Sequence, residues 1–140
     1  MTDPAPLAGE LRLAVHRLTR RLRAERPLDG LTLTQLSALA TIWREGPLTA
    51  GDLATREGVK PPSITRVLTS LEAEGMITRS ADPSDGRQVL VSATRLGAAR
   101  IEADIRARDA WLAQQIEMLN ARDRALLHRA SEVLDRLAGQ

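Results

Sequence analysis

The sequence predicts a mainly α chain with a minor β component, in the order αααα, β-hairpin, αα. Two observations carry that reading. Apolar residues recur at helical spacing along most of the 140 residues, with capping residues at the expected starts. The run Asp82-Pro83-Ser84-Asp85-Gly86-Arg87 lies between two β-like stretches, Ile77-Thr78-Arg79-Ser80 and Gln88-Val89-Leu90-Val91-Ser92. Pro83 pre-sets φ and Gly86 tolerates positive φ, so this run reads as the tip of a hairpin.

The first helix is expected over Leu7 to Arg26, with Leu11, Val15, Leu18 and Leu22 as its apolar stripe, and Pro27 and Gly30 ending it. Arg17, Arg20, Arg21, Arg23 and Arg26 crowd its second half as a solvated face. Thr32-Leu33-Thr34-Gln35 has the form of a capping box and starts the second helix. Leu36, Leu39, Ala40 and Trp43 point it inward, with Trp43 read as a core residue, and Gly46-Pro47 stops it. Thr49 caps a short third helix that carries Leu53 and Ala54 inward and ends at Gly58. Lys60-Pro61-Pro62 opens a fourth, since prolines in a first turn cost no hydrogen bond, and Gly75 closes it. Beyond the hairpin, Thr94 caps a long helix over Arg95 to Leu119, and Asn120 caps the last one. The expected parts are an N-terminal helix over residues 1–30, a central domain over 31–95 and C-terminal helices over 96–140.

Composition narrows the function classes. There is no cysteine, which removes disulfides, thiolate metal sites and thiol redox sensing. All but one of the 20 basic residues are arginine, a bias that reads as GC-rich coding. Net charge is only +2, and basic and acidic residues are nearly balanced along the chain. A nonspecific polyanion binder is disfavoured, so any nucleic-acid contact must come from locally placed arginines. No apolar run approaches the roughly 18 residues of a membrane span. The start, Met1-Thr2-Asp3-Pro4, lacks a secretory pattern, and a cytoplasmic location is expected.

The third and fourth helices, joined by a few residues around Gly58, suit a helix-turn-helix. On a wheel of the fourth, Ile64, Val67, Leu68 and Leu71 fall inward. Ser63, Thr65, Arg66, Thr69 and Ser70 fall outward, with Lys60 at the N-terminus and no acid between Lys60 and Leu71. Short hydroxyls around one arginine suit a major groove, where Arg can grip guanine and Ser or Thr can reach phosphates or base edges. First-turn N–H groups can add a phosphate contact. The hairpin that follows holds Arg87 at its tip, placed to enter a minor groove, with Asp85 positioned to receive and aim the guanidinium. A helix-turn-helix followed by an arginine-tipped hairpin is a winged helix. The competing reading is a winged helix reused for protein docking, which has no reason to keep Arg66 and Arg87 on such a surface.

Residues 31–97 resemble the DNA-binding region of the MarR family of bacterial transcription regulators. The matching residues are Leu53-Ala54, Ser63-Ile64-Thr65-Arg66-Val67-Leu68, Leu71-Glu72-Ala73-Glu74-Gly75-Met76-Ile77 and Arg79. Asp82 to Arg87 fits the family's D-x-x-D-x-R wing. Lys60-Pro61-Pro62 departs from the family's usual Ser or Thr cap. The resemblance implies a homodimer whose end helices intertwine, bound to a pseudo-palindromic double-stranded DNA operator, with repression as the expected outcome. It implies the fourth helices in successive major grooves and Arg87 in the flanking minor groove, in a cytoplasmic protein that is nucleoid-associated when bound.

The family also implies release by a small-molecule effector. His16, Arg20, Trp43 and Trp111 are the candidate lining, although with neither Phe nor Tyr an aromatic pocket is poorly supplied. His16 and His128 stand far apart with no third ligand at hand, so no metal and no cofactor are expected. No nucleophile–base pair, phosphate-cradling loop or metal cluster marks a catalytic residue, and an enzyme is not expected.

Overall fold

The computed structural model describes residues 1–139, and its first helix starts earlier than its apolar stripe. Helix α1 spans Pro4–Ala24, with Asp3 as N-cap accepting the Ala5 N–H at 3.1 Å. The Asp-Pro pair that signals this start lies three residues before Leu7. Helix α2, Leu33–Glu45, has the full capping box. Thr32 Oγ1 accepts the Gln35 N–H at 3.1 Å, and Gln35 Oε1 accepts the Thr32 N–H at 2.8 Å. Strand β1, Leu48–Thr49, leads into α3, Ala50–Glu57, and Thr49 Oγ1 caps α3 through the Asp52 N–H at 3.1 Å. Then come α4 (Pro61–Ala73), β2 (Ile77–Ala81), β3 (Val89–Ala93), α5 (Arg95–Glu117) and α6 (Ala121–Ala138). Asn120 caps α6 by accepting the Asp123 N–H at 2.8 Å.

The sheet is antiparallel in the order β1-β3-β2. Val91 faces Leu48 on one side and Arg79 on the other. Strand β1 is a correction to the expected order: two residues are too few to show alternation. The hairpin thus has a third strand at its base.

The chain forms two compact units, Pro27–Arg106 and Met1–Arg26 with Ala107–Gln140. The Pro27–Arg106 unit holds the core. Leu36, Leu39, Ile42, Leu53, Ile64, Leu68, Leu71, Val91 and Ile101 are fully buried there. Trp43 departs from its expected core position and stays 36% exposed, while Ile42 takes the inward place. Gly97 brings α5 onto the backbone of Met76, whose carbonyl oxygen a Cβ at 97 would overlap. Thr94 locks that approach: its hydroxyl donates to Gly75 O at 2.6 Å and accepts the Gly97 N–H at 3.1 Å. In the other unit, neither α1 nor α6 buries a residue, and Leu126 and Leu137 are 54% and 70% exposed.

Candidate nucleic-acid interface

A left-handed glycine makes the turn between α3 and α4. Gly58 has φ +64°, and the Val59 N–H closes onto Ala54 O at 3.1 Å. Leu53 and Ala54 bury against the core from α3, and Ile64, Leu68 and Leu71 from α4. Glu57 adds a polar clamp that local pattern does not reveal. Its carboxylate accepts from Ser37 Oγ at 2.8 Å and Thr41 Oγ1 at 2.5 Å, fastening α3 to α2.

On α4, Ser63, Thr65, Arg66 and Thr69 are exposed together with Lys60, which occupies the N-cap without a side-chain cap bond. Their hydroxyls differ in state. Thr65 donates to Pro61 O at 3.1 Å and Thr69 to Thr65 O at 2.9 Å. Ser70 is half-buried and accepts from Gln35 Nε2 at 2.7 Å, so it also joins α4 to α2. The expected phosphate contact at the helix start is corrected: Pro61 and Pro62 carry no N–H, and the Ser63 and Ile64 N–H groups both reach Lys60 O.

The hairpin tip is tied by its two aspartates. Asp82 accepts the Ser84 N–H at 2.9 Å and the Ser84 hydroxyl at 2.8 Å. Those bonds, the backbone one foremost, hold the Asp82 carboxyl below the usual carboxylate range. Asp85 accepts the Arg87 backbone N–H at 3.1 Å, and its carbonyl accepts the Gln88 N–H at 3.0 Å. This corrects the role expected of Asp85. Among the described residues no ion pair joins it to the Arg87 guanidinium; it shapes the backbone beneath Arg87, which is exposed. Arg79, on β2, pairs with Glu72 of α4 at 3.4 Å.

The expected effector residues do not share one place. Arg20 lines a cavity of about 440 Å³ with Arg17, Arg21 and Ala24, and Arg21 lies 5.0 Å above the Trp111 ring centroid. His16 lines a separate groove of about 640 Å³ with Leu11, Val15, Leu134 and Leu137. Trp43 lines neither. Among the described residues no group of His, Cys, Asp and Glu could hold a metal ion, and no helix is long and apolar enough to cross a membrane.

Three long-range roles escape pattern reading: the bond of Gln35 to Ser70, the Glu57 clamp and the bonds of Arg100. The Arg100 side chain, 12% exposed, pairs with Asp29 at 3.0 Å and donates to the carbonyls of Pro27 and Leu28, fixing the loop before α2. A basic residue inside an otherwise amphipathic helix is too common a feature to signal such a role.

Comparison with known proteins agrees with this architecture. Residues 31–89 match the MarR family. An HTH-type transcriptional regulator of Mycobacterium tuberculosis is 48% identical over 134 residues, covering 96% of this chain and 94% of that protein. A counterpart from Mycobacterium leprae is 47% identical over the same length and shares. A crystal structure of a transcriptional regulator protein from Pseudomonas aeruginosa superposes with a TM-score of 0.83 at 34% identity, covering 99% of this chain and 97% of the other. With its helix-turn-helix, its arginine-tipped wing and these relatives, the chain belongs to the MarR family of DNA-binding, helix-turn-helix transcriptional regulators.

Proposed function

We propose that the protein is a homodimeric repressor that reads a pseudo-palindromic operator and is released by a small anionic effector. The observation that carries the dimer is the state of α1 and α6. Each is an amphipathic helix without a fully buried residue in the single chain, and Leu7, Val15, Leu18, Leu126, Leu127, Leu134 and Leu137 stand exposed on them. Apolar surface of this extent marks an association site, and a two-fold pair covers it with the same face from each subunit.

In that dimer α4 presents Ser63, Thr65, Arg66 and Thr69 to a major groove, supported by their joint exposure on one face. Arg87, on the exposed hairpin tip, reaches the adjacent minor groove, and Lys60 and Ser70 supply backbone contacts. Arg79 serves the wing indirectly through Glu72. Two-fold symmetry then requires half-sites about one helical turn apart. Repression is supported by a Bacillus subtilis relative named as the transcriptional repressor MdtR, 27% identical over 123 residues, covering 85% of this chain and 79% of that protein. The effector is assigned to the three-arginine cavity beside Trp111, whose chemistry suits a small aromatic carboxylate. The protein works in the cytoplasm without catalysis of its own.

Selection from a random duplex DNA library at near-physiological salt tests this reading. An enriched inverted repeat is expected. No enrichment, from protein shown to be folded and dimeric, would replace the operator reading with a protein-docking one.

A further inference from the structure

The hydroxyls on α4 differ in what they can still offer, and that difference carries information about sequence. A threonine hydroxyl has one proton. In Thr65 it is directed to Pro61 O at 3.1 Å and in Thr69 to Thr65 O at 2.9 Å, so both oxygens are left as acceptors. Ser70 is the reverse: its oxygen accepts from Gln35 Nε2 at 2.7 Å, leaving its proton to donate.

Phosphate oxygens only accept hydrogen bonds. Contact with one would require Thr65 or Thr69 to give up its bond to the helix backbone. Base edges in the major groove divide differently. Adenine N6 and cytosine N4 are amino donors, whereas guanine N7 and O6 and thymine O4 only accept. An acceptor-only hydroxyl therefore separates A and C from G and T on the strand it faces.

We infer that Thr65 and Thr69 discriminate amino-bearing bases from keto bases at two positions of each half-site. The inference rests on the operator binding proposed above and assigns these side chains a chemistry within it. The two threonines are four residues apart on one helix face, about 6 Å along the axis. Base pairs rise by about 3.4 Å, so the two read positions fall about two base steps apart. Arg66, lying between them with donors only, takes an acceptor edge such as guanine, and Ser70 donates to a phosphate or keto oxygen.

The experiment compares the wild-type protein with Thr65→Val, Thr69→Val and the corresponding Ser variants in the same library selection. Valine keeps the shape and removes the oxygen, and serine keeps the oxygen. Each Val variant is expected to lose a preference for A or C of about fivefold at one position, leaving the rest of the matrix in place, while the Ser variants retain it. In the selected site, replacing the contacted adenine by purine, which lacks the N6 amino group, weakens wild-type binding by the same factor. That substitution needs no variant to fold. A wild-type preference for G or T at these positions, an unchanged matrix in the Val variants, or equal weakening on all sequences overturns the inference alone. Absence of any enriched site for the wild type overturns the operator reading, and this inference with it.

Discussion

Gln35 and Ser70, far apart in sequence, are joined by a 2.7 Å hydrogen bond from the Gln35 amide to the Ser70 hydroxyl. The other end of the same amide closes the α2 capping box through Thr32 at 2.8 Å. One side chain therefore caps the start of α2 and ties it to α4. Gln35→Ala removes both bonds and is expected to cost about 1–2 kcal/mol in chemical denaturation. Ser70→Ala keeps the capping bond, removes only the acceptor of the Gln35 amide, and should lose about half as much. No loss in the second variant would show that the bond to Ser70 contributes nothing, and equal losses in the two would show the same of the capping bond.

The Glu57 clamp makes a separate prediction. Its carboxylate receives two hydroxyl protons, from Ser37 and Thr41, in a half-buried setting. Glu57→Ala leaves both hydroxyls without that acceptor and is expected to destabilise the protein by about 1–3 kcal/mol. The Thr41→Val change, at a buried position, should be milder once Glu57 is already alanine. A double-mutant cycle measures the difference as a coupling energy.

Two glycines should respond differently to alanine. At Gly58 the added Cβ meets open space, and the cost is the left-handed backbone alone, about 1 kcal/mol. At Gly97 the Cβ overlaps the Met76 carbonyl oxygen, so α5 must move away from the start of β2. Gly97→Ala is expected to lose about 1–3 kcal/mol by thermal unfolding, despite the better helix propensity of alanine. A neutral Gly97→Ala would show that α5 does not depend on that close approach.

The wing should report its own pH dependence. The Asp82 carboxyl is held below its ordinary value of 3.8 by its bonds to Ser84. A depressed folded-state value means that its stabilisation is complete above 3.8 and is lost as pH falls through the lower value. In an NMR titration the Ser84 amide should shift with a midpoint below 3.8, and Asp82→Asn should abolish that transition. A midpoint at or above 3.8 would contradict the bonding seen here.

Arg87→Ala tests the wing on DNA. It is expected to weaken operator binding by about 1–3 kcal/mol, with loss of any preference for flanking A·T tracts. Asp85→Asn should have a smaller effect, because Asp85 holds the Arg87 backbone and not its guanidinium. Competition binding to sites with varied flanks distinguishes a minor-groove contact from a general loss of affinity.

Features of this fold that depend on near neighbours were legible in the sequence. The Thr32–Gln35 box, the Thr49 and Asn120 caps, the proline start of α4 and the Asp82 to Arg87 turn are all closed within a few residues. Features that join distant segments were not. Strand β1 exists because Leu48 pairs with Val91, and no property of a two-residue stretch announces that. Trp43 shares the periodicity of Leu36 and Leu39, yet α2 ends just beyond it and leaves it exposed. Ser70 belongs to the polar face of α4 on a wheel, but Gln35 draws it partly inward. The bonds of Arg100 to Pro27, Leu28 and Asp29 span roughly half the chain and leave no local trace.

The hydroxyl arrangement on α4 also bears on how readily this protein can change its target. Thr65 and Thr69 are exposed and bonded only to their own helix, so replacing either leaves the core untouched. Ser70 is anchored to Gln35, and Gln35 to the start of α2. If Thr65 and Thr69 read bases as proposed, recognition can drift by single substitutions at these positions with little penalty in folding. At 70 a new preference requires a compensating change at 35. The exposed face proposed to read DNA and the interior that folds are separable along most of this helix, and they meet at one serine.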